Sequence, residues 1–280
     1  MDILTALNEG KNILKSKHIE SAQLDSEILM AKAIGKDRKY IILNNNKDLR
    51  EKNFKDFKKL IINRSYGKPI AYLTNKKNFW KYEFYVTKDT LIPRPDTELI
   101  VEQILKVTKN KRKMNILDIG VGSGCILLSV LKERNDFYGT GIDISKNCLN
   151  ISKINAISLK VNTRVKFFKS DVDKFVQGKY DLIVSNPPYI NKLDLKYLEK
   201  DVVNFEPKLA LDGGLDGLSE IRKVIIKSSE LIKKNGKFIL EIGFDQKNKV
   251  INLLKQKGFY INKAIKDYGN NDRCIISTKI

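Results

Sequence analysis

The chain has 280 residues, of which 42% are hydrophobic and 31% are charged. This balance is typical of a globular protein that buries a large core and needs no disulfide bonds. No apolar run approaches the ~20 residues that a membrane span requires, and the N-terminus lacks a basic region followed by an apolar stretch. We therefore expect neither a membrane protein nor a secreted one.

Sparse cysteine and histidine usage argues against two kinds of site. The cysteines Cys125, Cys148 and Cys274 form no CxxC pair, and His18 is the single histidine. A zinc site and Cys/His nucleophilic catalysis are therefore not expected, and we predict no metal. Few, unpaired cysteines are typical of a reducing compartment, so we expect a cytoplasmic protein.

The net charge of the chain is +20 at pH 7. Such a charge would attract RNA, or a partner that itself works on the ribosome. Because the lysines and arginines are dispersed rather than clustered, we attribute most of the charge to the base composition of the gene. Direct binding of nucleic acid is therefore not required by this hypothesis.

The chain divides into three predicted regions. Residues 1–73 have apolar side chains at helical spacing and are predicted to form a small helical bundle. Residues 74–95 are predicted to be a β-hairpin and linker, with residues 78–84 as one arm of the hairpin. Pro95 and the acidic residues after it indicate the start of a new helix.

The third region, residues 96–280, alternates short apolar runs with helical patterns. This alternation predicts an α/β fold with a mostly parallel, doubly wound, seven-stranded sheet. The last two runs are separated by a short turn only, which predicts an antiparallel hairpin at one edge. The candidate strands are residues 114–119, 137–143, 164–168, 180–185, 236–242, 260–265 and 273–278.

A glycine-rich turn between the first strand of this region and its helix is the first chemical signal. It contains Gly120, Val121, Gly122, Ser123 and Gly124. Glycines let the backbone approach a ligand closely, and the helix N-terminus offers free N–H groups. The spacing is G-x-G-x-G rather than the dinucleotide pattern G-x-G-x-x-G.

Two aspartates refine the ligand class. Asp118 lies two residues before the first glycine, where a carboxylate would repel a pyrophosphate but suit an ammonium group. Asp143 ends the next strand, roughly 20 residues further on, as expected for a carboxylate that binds ribose hydroxyls. Incidental glycines at a strand–helix turn would explain the loop alone, but not both acids. We therefore predict S-adenosylmethionine as the cofactor, and Ser145 as the N-cap of the helix that follows Asp143.

The strongest motif is Asn186-Pro187-Pro188-Tyr189, which follows an apolar strand. Carboxyl ends of parallel strands face the ligand crevice, so Asn186 should lie beside the glycine loop. The Asn186 side-chain oxygen and the Pro187 carbonyl can accept the two N–H bonds of a flat, weakly nucleophilic NH₂ group. Tyr189 could stack on that group. A simple turn would explain the prolines, but not their position after a buried strand.

With both motifs in place, the chain resembles the release-factor glutamine methyltransferases, and more broadly the class I methyltransferases that carry Asn-Pro-Pro-Tyr. The resemblance covers nearly the whole chain. Besides the two motifs, it rests on residues 22–29, 64–73, 91–98, 205–211 and 213–218.

The resemblance implies a Rossmann-like class I methyltransferase domain over residues 96–280 and an N-terminal domain that docks the protein substrate. It implies that residues 120–124, Asp143 and Asn186 bind S-adenosylmethionine, and that residues 186–189 bind a glutamine amide. Asn186, Pro187 and Tyr189 would be the catalytic residues, and Pro188 would add to substrate binding. The implied substrate is the Gly-Gly-Gln loop of class I peptide chain release factors, and a monomer is expected.

One departure from the family concerns the adenine. Relatives often have an aromatic residue after the third strand, where this chain has Val172. We expect Val172 to hold the adenine by apolar contact rather than by stacking.

Two other functions remain open at this point. The Asn-Pro-Pro-Tyr motif is shared with methyltransferases of the adenine amino group in nucleic acids, which the net charge of +20 would suit. Against this alternative, acidic residues follow the motif among the lysines. A non-catalytic binding module would keep the fold, but Asp118, Asp143 and Asn186 argue against it.

Overall fold

A computed structural model describes all residues from Met1 to Ile280. The chain forms two compact units, one of Met1–Lys76 with Glu199–Phe205 and one of Lys77–Leu198 with Glu206–Ile280. None of its helices combines the length and the apolar character that crossing a membrane would need.

The helices are α1 (Ile3–Lys15), α2 (Ala22–Ile34), α3 (Arg38–Leu43), α4 (Glu51–Ser65), α5 (Ile70–Thr74), α6 (Glu98–Val107), α7 (Cys125–Glu133), α8 (Lys146–Ser158), α9 (Lys200–Phe205), α10 (Ser219–Leu231) and α11 (Lys247–Gln256). The strands are β1 (Lys76–Phe79), β2 (Tyr82–Tyr85), β3 (Asn115–Ile119), β4 (Tyr138–Asp143), β5 (Val165–Lys169), β6 (Tyr180–Ser185), β7 (Ile232–Glu241), β8 (Phe259–Lys266) and β9 (Asp272–Lys279).

The first unit is a helical bundle whose helices have clear local signals. Helix α1 begins after Asp2, whose carboxylate accepts a hydrogen bond from the Thr5 N–H at 2.7 Å. Helix α2 ends at Gly35, which adopts the left-handed conformation with φ of 73°. An ion pair of 2.7 Å between Arg64 of α4 and the buried Asp25 of α2 joins two helices of the bundle.

The second unit contains a seven-stranded sheet in the order β5-β4-β3-β6-β7-β9-β8. All neighbouring strands are parallel except β9, which is antiparallel to both β7 and β8. One core cluster joins the sheet to α6, α7 and α8, and another joins it to α10 and α11. The predicted doubly wound fold with an antiparallel edge hairpin is confirmed.

The predicted hairpin arm is wrong in its bounds. Residues 78–84 do not form one arm, because the chain turns within them, between β1 and β2. Trp80 adopts a left-handed conformation with φ of 58°, and its backbone N–H donates to the Glu98 carboxylate at 2.9 Å. Trp80 thus lies in the turn, with Phe79 before it on β1 and the aromatic residues Tyr82, Phe84 and Tyr85 after it on β2.

The strand ends of the second unit shift by a few residues from the predictions. The largest difference is at β7, which begins at Ile232 rather than at residue 236, since Gly236 interrupts the apolar pattern without ending the strand. The predicted helix cap at Ser145 is confirmed, because its hydroxyl accepts from the Cys148 N–H at 3.3 Å.

Candidate active site

A cavity of about 550 Å³ lies at the carboxyl ends of the parallel strands. Its wall includes residues that follow β3, β4, β5 and β6, and residues of the segment before α6. Volumes of a few hundred cubic ångströms are typical of small-molecule sites, and this position is where doubly wound sheets bind ligands. Residues 120–123 of the predicted cofactor loop and residues 186–188 of the Asn-Pro-Pro segment belong to this wall, whereas Gly124 does not.

The loop between β3 and α7 turns sharply against the end of β4. Gly120, Gly122 and Gly124 all have positive φ, at 77°, 55° and 83°. A Cβ atom on Gly124 would lie 2.7 Å from a methyl of Leu128, so this position is closed to larger residues by both backbone and space. The N–H groups of Gly120 and Val121 both donate to the Ile142 carbonyl at 2.9 Å. Val121, Gly122 and Ser123 also line the cavity.

Asp143 lies at the end of β4 and also lines the cavity. Its Oδ2 accepts from the Gly122 N–H at 3.0 Å, and its Oδ1 accepts from the Ser145 N–H at 2.8 Å. Burial raises the pKa of the Asp143 carboxyl, and these two backbone hydrogen bonds oppose the rise. Each oxygen keeps a further lone pair, so the group can still accept hydrogen bonds from two ligand hydroxyls.

Apolar residues form the wall near Asp143. Val172, which is 9% exposed, begins a short 3-10 turn, and Ile144, directly after Asp143, is 55% exposed and also lines the cavity. Sequence reasoning missed Ile144. The available signal was its position next to a predicted ribose-binding acid, in a segment whose side chains must alternate between core and crevice.

Asn186, Pro187 and Pro188 line the cavity at the end of β6. The Asn186 Nδ2 donates to Thr97 Oγ1 at 3.2 Å. This hydrogen bond engages the nitrogen of the carboxamide and does not use its Oδ1. The Ser185 hydroxyl donates to the Ile119 carbonyl at 2.7 Å and ties the end of β6 to β3. The cavity therefore brings Asn186 and the glycine loop together.

Tyr189 is not part of the cavity wall. Its ring packs on the core cluster that joins the sheet to α10 and α11. Its hydroxyl lies 3.3 Å from Glu241 Oε1 and accepts from Arg273 at 3.2 Å, and burial raises its pKa. These contacts hold the Tyr189 ring outside the cavity wall. The stacking of Tyr189 on the substrate therefore stays a prediction.

Asp118 lies beneath the glycine loop rather than in the cavity wall. It is 1% exposed, and neither of its carboxyl oxygens has a side-chain or backbone hydrogen bond of normal geometry. Burial raises the pKa of Asp118 to about 7, and the Leu127 N–H near the start of α7 opposes that rise. Because both carboxyl oxygens of Asp118 are buried and lack hydrogen-bond partners, a positively charged donor would stabilise them.

Arg94 and Glu206 are further site residues to which the sequence analysis gave no role. Arg94 lines the cavity and forms an ion pair with Glu206, whose side chain is buried. Both lie in segments that carried the family resemblance, and that resemblance was the available signal. Nowhere in the chain is a group of three or more His, Cys, Asp or Glu side chains arranged to hold a metal ion.

Comparisons with known proteins identify the family of this chain. Residues 5–74 match the family model described as PrmC N-terminal domain, and residues 95–208 match the Methyltransferase small domain. A release factor glutamine methyltransferase of Buchnera aphidicola subsp. Acyrthosiphon pisum is 39% identical over 96% of each chain. One of Clostridium acetobutylicum is 36% identical over 100% of this chain and 99% of its own length.

Among solved structures, the fold is similar to that of a ribosomal protein L11 methylase from Lactobacillus delbrueckii subsp. bulgaricus. The TM-score is 0.51 with 17% sequence identity, over 67% of this chain and 81% of the other. This likeness supports the fold alone. The full-length identities support more, and they confirm the resemblance that the motifs indicated: the chain belongs to the family of release factor glutamine methyltransferases.

Proposed function

We propose that this enzyme transfers a methyl group from S-adenosylmethionine to the side-chain amide nitrogen of a glutamine in class I peptide chain release factors. The observation that carries the proposal is the Asn186 carboxamide in the cavity wall, beside the glycine loop, with its Nδ2 bonded to Thr97. This arrangement suits a substrate that presents a planar NH₂ group. Family membership supports the choice of glutamine over other amides.

The residues of the cavity fit the proposed cofactor. The backbone of Gly120, Val121, Gly122, Ser123 and Gly124 would approach its methionine part, and Asp143 would accept from its ribose hydroxyls. Val172 together with Ile144 would contact the adenine through apolar surface. The unpartnered oxygens of Asp118, beneath the loop, would favour the ammonium end electrostatically. The cofactor supplies a methyl group activated by a sulfonium.

The chemistry at the amide follows from its weak nucleophilicity. The Asn186 Oδ1 and the Pro187 carbonyl would accept the two N–H bonds of the glutamine side chain, which orients its nitrogen and stabilises the positive charge that grows there. The new C–N bond forms as the C–S bond breaks, the sulfonium becomes a neutral thioether, and one N–H proton is lost to solvent. Pro187 and Pro188 restrict the loop, so little entropy is lost when the substrate binds.

We further propose that the substrate segment is the Gly-Gly-Gln loop, whose glycines allow a narrow loop to enter a deep cavity. The N-terminal helical unit, including residues 1–73, would bind another part of the release factor. Residues 74–95 would form the hairpin and linker, and residues 96–280 the methyltransferase domain.

A direct test incubates the protein with methyl-labelled S-adenosylmethionine and a purified class I release factor. We expect label in the loop glutamine, located by mass spectrometry. A release factor with that glutamine replaced by alanine is the matched control and should accept no methyl. Label in RNA or DNA but not in the release factor would instead favour the adenine amino-group alternative, and would overturn the proposal.

A further inference from the structure

The far end of the Asn-Pro-Pro-Tyr loop is held at Tyr189, through both the backbone and the side chain of that residue. The Gln246 Nε2 donates to the Tyr189 carbonyl at 2.9 Å and to the Gly217 carbonyl at 3.0 Å. The Gln246 Oε1 accepts from the Gly243 N–H at 2.9 Å, so both ends of this buried carboxamide are engaged. The backbone of the loop is therefore fixed three positions beyond Asn186.

Arg273 holds the side chain of Tyr189. The Arg273 Nη1 donates to the Tyr189 hydroxyl at 3.2 Å and to the Ile242 carbonyl at 3.3 Å. A guanidinium can only donate, so the phenol accepts from Arg273 and directs its own proton to Glu241 Oε1, which lies 3.3 Å away. The hydroxyl of Tyr189 therefore has a defined direction as well as a defined place.

The guanidinium of Arg273 is itself fixed by the turn between β8 and β9. Its Nε donates to Asp267 Oδ2 at 3.1 Å, and its Nη2 lies 3.0 Å from the same oxygen. The Asp267 Oδ1 accepts from the Asn271 N–H at 2.9 Å, which ties the carboxylate to its own turn. The side chains of Arg273 and Asp267 are 13% and 3% exposed, so water competes little with these charge-assisted hydrogen bonds.

The two prolines connect this fixed end of the loop to Asn186. A proline holds its φ at about −65°, and the residue before a proline is restricted to extended conformations. Each residue from Asn186 to Pro188 is under at least one of these restrictions. Before the loop, the Ser185 hydroxyl bonds β6 to β3 at 2.7 Å. A stiff segment that is fixed at both ends leaves Asn186 little freedom to move.

We propose that Arg273 is a positioning residue, which holds the Tyr189 phenol and so keeps the Asn186 carboxamide in place in the cavity wall. The inference rests on the proposed function, since the Asn186 Oδ1 is the acceptor that the glutamine amide needs. A misplacement of about 1 Å at a reacting centre can cost about 100-fold in rate. Arg273 does not line the cavity and acts through Tyr189.

The test uses two variants of the full chain. Tyr189→Phe keeps the ring and removes the hydroxyl that Arg273 holds. Arg273→Lys keeps a cation beside Asp267, so the buried carboxylate stays compensated. An ammonium group lacks the planar fork of donors that reaches Asp267 and Tyr189 together, so this change should release the phenol.

Each variant has a matched control outside the cavity wall. Tyr82→Phe also removes a phenol that donates to a glutamate, since the Tyr82 hydroxyl lies 3.0 Å from Glu133 Oε1. Arg134→Lys also replaces an arginine that pairs with an aspartate, since Arg134 lies 3.3 Å from Asp136 and its side chain is 19% exposed.

We expect Tyr189→Phe and Arg273→Lys each to lower kcat by about 10-fold, while the dissociation constant of the cofactor changes by less than about threefold. The two controls should change kcat by less than about twofold. In the double variant, Arg273→Lys should add less than about twofold to the loss caused by Tyr189→Phe, because both changes break one contact. Losses that multiply, or an unchanged kcat in Tyr189→Phe, would overturn the inference.

A second readout needs no turnover, and it decides the inference from Tyr189→Phe alone if Arg273→Lys does not fold. The Asn186 Nδ2 donates to Thr97, so ¹⁵N NMR of this side-chain amide in the ligand-free chain reports whether Asn186 is held. Asn186→Ala assigns the signal. Exchange of the Nδ2 protons with water should become faster in Tyr189→Phe and stay unchanged in Tyr82→Phe.

The two proposals fail in different ways. An Asn186 signal that is the same in Tyr189→Phe and in the unmodified chain would overturn the role of Arg273, whether or not the release factor is methylated. Absence of release-factor methylation by the unmodified chain, with the expected change of the Asn186 signal, would overturn the proposed function alone.

Discussion

Arg94 and Glu206 form an ion pair between segments 112 residues apart, and the same Glu206 carboxyl accepts from the Ile92 N–H at 3.1 Å. The pair fastens the segment before α6, which forms part of the cavity wall, to the region between β6 and α10. Charge and backbone contacts together therefore shape one side of the site.

Loss of this ion pair should destabilise the second unit. In Arg94→Met, Glu206 stays buried without its cation, and we expect a loss of about 2–3 kcal/mol in the free energy of unfolding. The expected loss is below that of a wholly buried pair because the Arg94 side chain is 38% exposed. Urea denaturation measures it. Lys55→Met removes the exposed Lys55–Glu51 pair and should change stability by less than about 0.5 kcal/mol. Equal effects of the two changes would contradict the prediction.

Replacement of Asn186 should separate chemistry from cofactor binding. Asn186→Ala removes an acceptor for the substrate N–H, and we expect kcat to fall by about 100- to 1000-fold, as for other preorganised polar groups at a reacting centre. Cofactor affinity should change only a few-fold. Single-turnover kinetics and titration calorimetry give the two values. A loss of affinity as large as the loss of turnover would mean that Asn186 serves only the cofactor.

Replacement of Asp143 should have the opposite pattern. Asp143→Asn places an NH₂ group where the carboxylate now accepts from Gly122 and Ser145 and would accept from ribose hydroxyls. Hydrogen bonds to a charged group contribute about 1.5–3 kcal/mol, so we expect cofactor affinity to fall by roughly 10- to 100-fold. Turnover at saturating cofactor should change little. Asp173→Asn, at an exposed position of the neighbouring turn, is the control.

The buried Asp118 should make stability depend on pH. Burial raises its pKa from 3.8 to about 7 in the folded chain, so the folded state binds a proton more tightly than the unfolded state does. The contribution of Asp118 to stability is therefore fully present below about pH 4 and is lost as the pH rises towards 7, by up to about 1.4 kcal/mol per pH unit.

Asp118→Asn checks this sign, since its amide does not ionise. We expect the variant to gain stability relative to the unmodified chain between about pH 4 and pH 7 and to hold a constant difference at higher pH. Urea denaturation at pH 5 and pH 8 measures the change. Glu241, whose pKa burial also raises to about 7, keeps its contribution in both proteins and cancels in the comparison. Parallel pH profiles of the two proteins would refute the assignment.

Local patterns in the sequence were enough to predict the helical bundle and the doubly wound sheet. Apolar runs of strand length alternated with helical patterns, and such patterns report directly which face of each element is buried. The hairpin after residue 75 was harder, because aromatic residues suit either strand of a hairpin. Only the left-handed Trp80, held by Glu98, decides where the chain turns.

The motifs were sufficient to indicate the family, the fold and the residues that meet at the carboxyl ends of β3, β4 and β6, because a parallel sheet brings those ends to one edge. The directions and contacts of the side chains there became visible in the folded chain alone. Tyr189 turns to Glu241 and Arg273, which lie 52 and 84 residues away, and Asn186 turns to Thr97, 89 residues away. The packing of distant segments brings these partners together, and no local pattern encodes contacts at such separations.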